Sequence, residues 1–191
     1  DLEKFVITLP GQTFEAGKGN TGSPTIQSAG TLFEIKVRAC DKYNNIVNSH
    51  TGSKTLEFSG PHCCDSTNKP KYNTVEADCS TTKASGVSVT FTNGVSENIR
   101  VILYKAEQIS IHVEEGTTTG DSSLFTVSGG VLASFELEFP DISTKIAGQV
   151  FPLIINAGDS YCNLTKFTGT VDLSLVMSGG NPISPPPSPL M

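Results

Sequence analysis

Apolar residues alternate with polar ones at Phe5, Ile7 and Leu9, at Phe33, Ile35 and Val37, and at Leu56 and Phe58. The same period of two returns at Val87, Val89 and Phe91, at Ile99, Val101 and Leu103, at Ile109, Ile111 and Val113, and at Phe125 and Val127. Side chains two residues apart share one face of an extended strand, so the pattern predicts seven or more short strands, each with one buried face. Asn93-Gly94 and the stretch from Glu115-Gly116 to Gly120-Asp121 supply turn residues that predict antiparallel hairpins. No stripe at helical spacing interrupts the series. Short strands about ten residues apart predict an all-β sandwich of two sheets that bury their alternating faces against each other.

The pattern then restarts. Ala133–Pro140 (ASFELEFP) follows Lys4–Pro10 (KFVITLP) at an offset of 130 residues, with Phe135 under Phe5. From Gly148, GQVFPLIINAGDSYCN aligns without a gap to GTLFEIKVRACDKYNN from Gly30, at an offset of 118. Phe151, Ala157, Asp159, Tyr161 and Asn163 thus fall on Phe33, Ala39, Asp41, Tyr43 and Asn45. The difference between the offsets assigns the first copy a 12-residue insertion within Gly11–Ala29, rich in Gly, Thr and Ser and expected to be an exposed, mobile loop. A repeat of this length predicts tandem domains: a sandwich over 1–129, a partial second one over 130–178, and a proline-rich tail over 179–191. The second copy has no counterpart of Val87–Val113, so half of its core lacks a partner.

Composition narrows the function classes. Ser and Thr fill 42 of 191 positions, which suits strands, and a net charge of −6 repels a phosphate backbone, which speaks against nucleic acid as a partner. No run reaches the roughly 18 to 20 apolar residues of a membrane helix. The start at Asp1 lacks the basic and apolar regions of a secretion signal, so any targeting segment is expected to have been removed already.

AGTLFEIKVRACDKYNN, continued by HTGSKTLEF and VSVTFTNGVSENIRVILYKAEQISIHV, resembles the immunoglobulin-like tandem repeats of bacterial and archaeal surface proteins, the Big-like domains of the invasin and intimin type. Filamin-like and algal surface sandwiches are also similar. The turn of those repeats reads Asp-x-Tyr-Gly-Asn; here it is Asp41-Lys42-Tyr43-Asn44-Asn45 and Asp159-Ser160-Tyr161-Cys162-Asn163, with the usual Gly replaced in both copies. The resemblance implies tandem immunoglobulin-like β-sandwiches, the second incomplete, in a non-catalytic extracellular structural or adhesion module of a cell-surface protein. The competing reading is a lectin-like module that binds surface glycans or receptors through the Gly11–Ala29 insertion and the cysteine-rich loop.

Cys40, Cys63, Cys64 and Cys79 are the sharpest chemistry in the first copy. His62, Cys63, Cys64, Asp65 and Cys79 cluster as a metal set would, but adjacent cysteines rarely face one zinc and no C-x-x-C spacing occurs. Disulfides that pin the 25-residue loop Gly60–Ala84 are the stronger expectation. A Cys63–Cys64 bond would close a strained eight-membered ring, so Cys40 is expected to pair with one of them and Cys79 with the other. Cys162 is the odd cysteine, either free or bonded to another chain or to further sequence.

Asp41, Asp159, Glu114, Glu115 and Asp121 offer hard oxygen ligands for calcium, but their spacing matches no calcium loop. Asp41 and Asp159 are better read as caps of their own turns. His50, His62 and His112 are scattered, and His112 alternates with Ile111 and Val113, which points it outward. Asn163-Leu164-Thr165 is a glycosylation acceptor motif. No Gly-x-Ser-x-Gly, His-Glu-x-x-His or phosphate loop is present. Catalytic, cofactor and metal residues are therefore all expected to be absent. Phe135, Leu137, Phe139, Phe151, Leu153, Ile155, Leu173 and Leu175 need cover, either from further sequence of a longer repeat protein or from strands donated by identical subunits in an extracellular filament.

Overall fold

The computed structural model describes residues 1–141, 143, 144, 146 and 148–174, and its regular elements are all strands. Leu175, Val176 and the proline-rich 179–191 lie outside the described residues. No helix among the described residues is long and apolar enough to cross a membrane.

The largest sheet runs, neighbour by neighbour, through Thr118–Asp121, His112–Glu115, Gly52–Ser59, Ala84–Thr92, Val95–Ser96, Leu32–Cys40, Ile99–Ile102, Lys71–Tyr72 and Val75–Glu76. Lys4–Thr8 joins it antiparallel on Leu32–Cys40. Alternation dictates this arrangement: Phe5, Ile7, Phe33, Ile35, Val37, Leu56, Phe58, Val87, Val89, Phe91, Ile99 and Val101 all turn inward into one core. The Asn93-Gly94 turn closes a two-residue hairpin with Thr92 opposite Val95, and both turn residues have positive φ, at 49° and 77°. Asn and Gly are the residues that adopt such a turn at least cost.

Two expectations are corrected. Ile109, Ile111 and Val113 do not share a strand: Glu107–Ile109 pairs with Phe125–Ser128, while His112–Glu115 pairs with Gly52–Ser59. The chain crosses from one sheet to the other at Ser110-Ile111, which leaves Ile111 and Val113 buried together. The Gly11–Ala29 insertion is anchored. Thr13–Glu15 and Gly19–Thr21 form a hairpin, Asn20 donates to the Ile7 carbonyl (2.7 Å), the Arg38 guanidinium covers the Phe14 ring (4.7 Å), and Gln27–Ser28 pairs in parallel with Phe125–Ser128. The loop Gly60–Ala84 contributes to the core, because its Lys71–Tyr72 strand plugs Tyr72 against Phe58 with ring centroids 4.6 Å apart.

The Tyr72 hydroxyl is buried without a hydrogen-bond partner among the described residues, and burial pushes its pKa far above the ordinary phenol range. Removing an unpaired buried polar group costs nothing in lost bonds. Tyr72→Phe should therefore leave the urea midpoint unchanged or raise it; a loss above about 1 kcal/mol would show that the hydroxyl has a partner.

His50 is 8% exposed, with the Phe91 ring 4.7 Å and the Phe5 ring 5.7 Å away. Burial holds its pKa below the ordinary 6.5, although Glu115, 3.5 Å from Nε2, pulls it up. The unfolded chain thus takes up this proton at higher pH than the folded one. Stability contributed by neutral His50 is present above pH 6.5 and lost as pH falls through the lowered folded pKa. Between about pH 7.5 and 5.5, the wild-type urea midpoint should fall more than that of His50→Leu. Equal slopes would contradict the assignment.

Beyond Gly129-Gly130, Leu132–Glu138 pairs antiparallel with Ile154–Asp159 in a separate two-stranded sheet. Its register places Phe135 opposite Ala157 and Leu137 opposite Ile155, just as Phe5 lies opposite Ala39 and Ile7 opposite Val37. Two stretches aligned at different offsets therefore meet in the same register. Their environments differ: Phe5 is 2% exposed and Phe135 41%, and Leu56 is 1% exposed whereas Leu173, which falls on it once one residue is lost from the second copy, is 57%. Leu137, Phe139 and Phe151 are likewise exposed, while Leu153 and Ile155 are half-buried.

Candidate functional site

The duplicated Asp-x-Tyr-x-Asn turn is built the same way in both copies. Asp41 Oδ1 accepts from the backbone N–H groups of Tyr43 and Asn45 (both 2.8 Å), and its Oδ2 accepts from Asn45 Nδ2 (3.0 Å). Asp159 Oδ1 accepts from Tyr161 (2.8 Å) and Asn163 (2.9 Å), and its Oδ2 from Asn163 Nδ2 (2.8 Å). The fourth residue of the turn is left-handed in each, with φ of 66° at Asn44 and 62° at Cys162. Both carboxylates are committed to capping, which is what short acidic side chains do at such turns.

What surrounds the two turns is different. Tyr43 is 64% exposed, whereas Tyr161 lies edge-on to Tyr104 of the first sandwich with centroids 5.0 Å apart. Asn163 is buried: Nδ2 donates to the Tyr104 carbonyl (2.7 Å), and Oδ1 accepts from the Ala106 N–H (2.8 Å). Asp159 Oδ2 also accepts from the Gly130 N–H (2.7 Å), and Thr165 Oγ1 donates to the Gly130 carbonyl (2.6 Å). Glycine at position 30 is what admits the ring: a Cβ there would lie 2.4 Å from Tyr161 ring carbons. At Gly129 a Cβ would meet the Leu164 carbonyl oxygen at 2.2 Å. Burial raises the pKa of Asp159, but the donors on Asn163, Gly130 and Tyr161 outweigh it and hold the carboxyl below its usual range. Asp41 is lowered chiefly by the Asn45 side chain.

The second turn is thus seated against Gly30, Tyr104 and Ala106, at one end of the strand Leu32–Cys40. Tyr161 meets Gly30, just before the strand Leu32–Cys40, while the first copy's own turn begins at Asp41, just after it. Nine residues at about 3.3 Å each separate the two ends by roughly 30 Å.

That separation overturns the expected Cys40 bridge. Cys40 is a free thiol at the Asp41 end, buried and with its pKa pushed up to about 11 by burial, whereas Cys64 lies at the Tyr161 end. Cys63 and Cys79 form the disulfide of the structure, and Cys64 and Cys162 are free. The metal set is dispersed: Cys63 and Cys79 are bonded to each other, His62 Nδ1 sits 2.8 Å from Glu107 Oε2, and Asp65 caps Thr67 and Asn68. The calcium set is not gathered either, since Glu114 contacts Lys83, Glu115 faces His50 and Asp121 bonds His112 (2.8 Å). Among the described residues no three His, Cys, Asp or Glu side chains could hold a metal ion. Asn163 is corrected as a glycosylation candidate, because its amide nitrogen is buried and donates to Tyr104 and Asp159, leaving no access for a glycan.

The sequence pattern assigns Tyr104 and Ala106 no role, since both lie in the short connection between the strands Ile99–Ile102 and Glu107–Ile109. The only signal is indirect: the Asp-x-Tyr-x-Asn turn recurs in the second copy.

No protein-family model matches the chain, and no curated protein matches it. Among solved structures the chain is similar to one titled "Structure of surface layer protein SbsC, domains 4-9", at 14% identity and a TM-score of 0.36 over 95% of this chain and 26% of that one. The chain thus spans about a quarter of the length of the chain in that structure.

Proposed function

We propose that the chain is a structural segment of a tandem array of immunoglobulin-like β-sandwiches on an extracellular surface, in which each module sets the direction of the next. The observation that carries this reading is the seat made for the Asp159–Asn163 turn by Tyr104, Ala106, Gly30 and Gly130. A stiff array needs a joint that resists bending, and buried polar pairing specifies one orientation where apolar contact alone would tolerate several. The exposed Tyr43 turn, at the opposite end of the same strand, is the surface on which the first copy would seat on a preceding module. The Cys63–Cys79 disulfide supports an oxidising compartment, where such bonds persist. Antibodies against the first sandwich should label intact cells, and brief external proteolysis should release the antigen. Labelling only after permeabilisation would overturn the surface location.

A filament assembled by strand exchange is the second reading, favoured by the exposure of Phe135, Leu137 and Phe139 on a two-stranded sheet. Light scattering of the 191-residue chain separates the two readings: concentration-dependent fibres support exchange, and a monomer at all concentrations rules it out.

A further inference from the structure

Cys64 Sγ points at the Tyr161 carbonyl oxygen, 2.5 Å away, and that carbonyl belongs to the peptide bond leading into Cys162. The Cys162 thiol is also close enough to act on Cys64 electrostatically, after burial and Asp65, in raising its pKa. Of the five cysteines, Cys63 and Cys79 are bonded to each other and Cys40 is buried roughly 30 Å away at the far end of its strand. Half-buried Cys64 and exposed Cys162 are the two accessible thiols, and Cys64 Sγ lies against the peptide that leads into Cys162. The backbone adds an independent observation. Cys162 adopts a φ of 62°, where its counterpart is Asn44 and where a side chain such as cysteine is sterically disfavoured. Nothing in the turn itself uses a sulfur atom at that position, since the capping bonds come from Asp159 and Asn163.

We propose that Cys64 and Cys162 form a disulfide that locks the second module onto the first. The inference rests on the docked joint described above and adds a covalent bond to it. The oxidant is a small-molecule disulfide such as oxidised glutathione. The exposed Cys162 thiolate attacks one glutathione sulfur, forming a mixed disulfide and expelling glutathione thiolate, which takes up the proton that Cys162 released. After rotation about its Cα–Cβ bond, the Cys64 thiolate attacks Cys162 Sγ, forms the protein disulfide and expels the second glutathione. Two protein thiols are oxidised and one glutathione disulfide is reduced to two thiols. The 1–129 sandwich keeps its own Cys63–Cys79 bond throughout, so this second bond can open or close under a change of redox poise without unfolding it.

The test uses the full chain, equilibrated with a mixture of oxidised and reduced glutathione, alkylated under native conditions and digested without reduction for mass spectrometry. Cys40 serves as a folding control, since it should alkylate only after denaturation. The expected result is one cluster of three peptides, in which the peptide carrying Cys63 and Cys64 is joined both to the Cys79 peptide and to the Cys162 peptide, with fragmentation placing Cys63 on Cys79 and Cys64 on Cys162; in Cys162→Ser the third peptide should leave the cluster and Cys64 should become alkylated. The proposal is overturned if Cys64 and Cys162 are both alkylated or both carry glutathione while Cys63–Cys79 is intact, or if Cys64 is found on Cys79. Aromatic contacts between Tyr161 and Tyr104 in the NMR spectrum of that same sample separate the two claims: if they persist without the crosslink, only the disulfide fails, and if they are lost, the joint fails with it.

Discussion

Asn163→Ala is expected to undock the second module while leaving the first sandwich folded. The substitution removes the donor to the Tyr104 carbonyl and the acceptor for the Ala106 N–H, and it strips one partner from Asp159. Two backbone groups are left unpaired in a buried site, each at about 1 to 3 kcal/mol. Taken together, a loss of about 2 to 6 kcal/mol corresponds to a fall of roughly 30- to 20,000-fold in the docking equilibrium constant. Hydrogen exchange at the Ala106 amide reads this directly and should accelerate by a comparable factor, while exchange at Val87 and Val89 in the core should not change. Asn163→Asp should be no milder, because it keeps the acceptor for Ala106 but loses both amide donors and places a second carboxylate against Asp159. Unchanged protection of Ala106 in Asn163→Ala would mean that the bond does not hold the joint.

Phe58→Ala is expected to have the largest effect on the first sandwich. Phe58 is fully buried, stacks on Tyr72 at an interplanar angle of 11°, and sits opposite Val113 on one neighbouring strand and Ala84 on the other. Truncation removes the contact that ties the Gly60–Ala84 loop to the core and leaves a cavity among strands that cannot close around it. Such substitutions cost about 3 to 5 kcal/mol. Against a domain stability of about 5 to 15 kcal/mol, a large fall in the urea midpoint at constant slope should follow. A shift below about 1 kcal/mol would show that the stack contributes little.

The legible part of the fold was the part that alternation controls. Every strand position from Phe5 to Val101 that the period of two turned inward is buried, because a strand cannot bury one face without that spacing. Ile109–Val113 was misread for the same reason: period two continues through a residue at which the chain changes sheets, and nothing local marks the crossing. The insertion was misread because Gly, Thr and Ser composition signals turns without saying whether they pack. Thr8, Asn20 and Arg38 supply the anchoring, with Thr8 Oγ1 donating to Asn20 Oδ1 (2.7 Å) and the Arg38 guanidinium donating to Thr8 Oγ1 (2.6 Å), and polar pairing of that kind leaves no periodicity. Tyr72 was hidden by its two-residue strand, too short to show any alternation. The Cys40 pairing went wrong because counting cysteines ignores the length of a nine-residue strand. At the joint, the repeated turn was visible and its seat was not, because the hydrogen bonds of the seat go to backbone groups of Tyr104, Ala106 and Gly130, which leave no periodic pattern of side chains.

The central claim is that the Asp159–Asn163 turn makes the second module and the first sandwich one body. Residual dipolar couplings of the full chain in a weakly aligning medium test this most directly, with backbone N–H groups from Leu32–Cys40 and Ala84–Thr92 on one side of the joint and Leu132–Glu138 and Ile154–Asp159 on the other. One alignment tensor that fits both sets, and two different tensors in Asn163→Ala, is the result the seated turn predicts. Two independent tensors in the unmodified chain would contradict it, since the modules would then move freely about Gly129-Gly130.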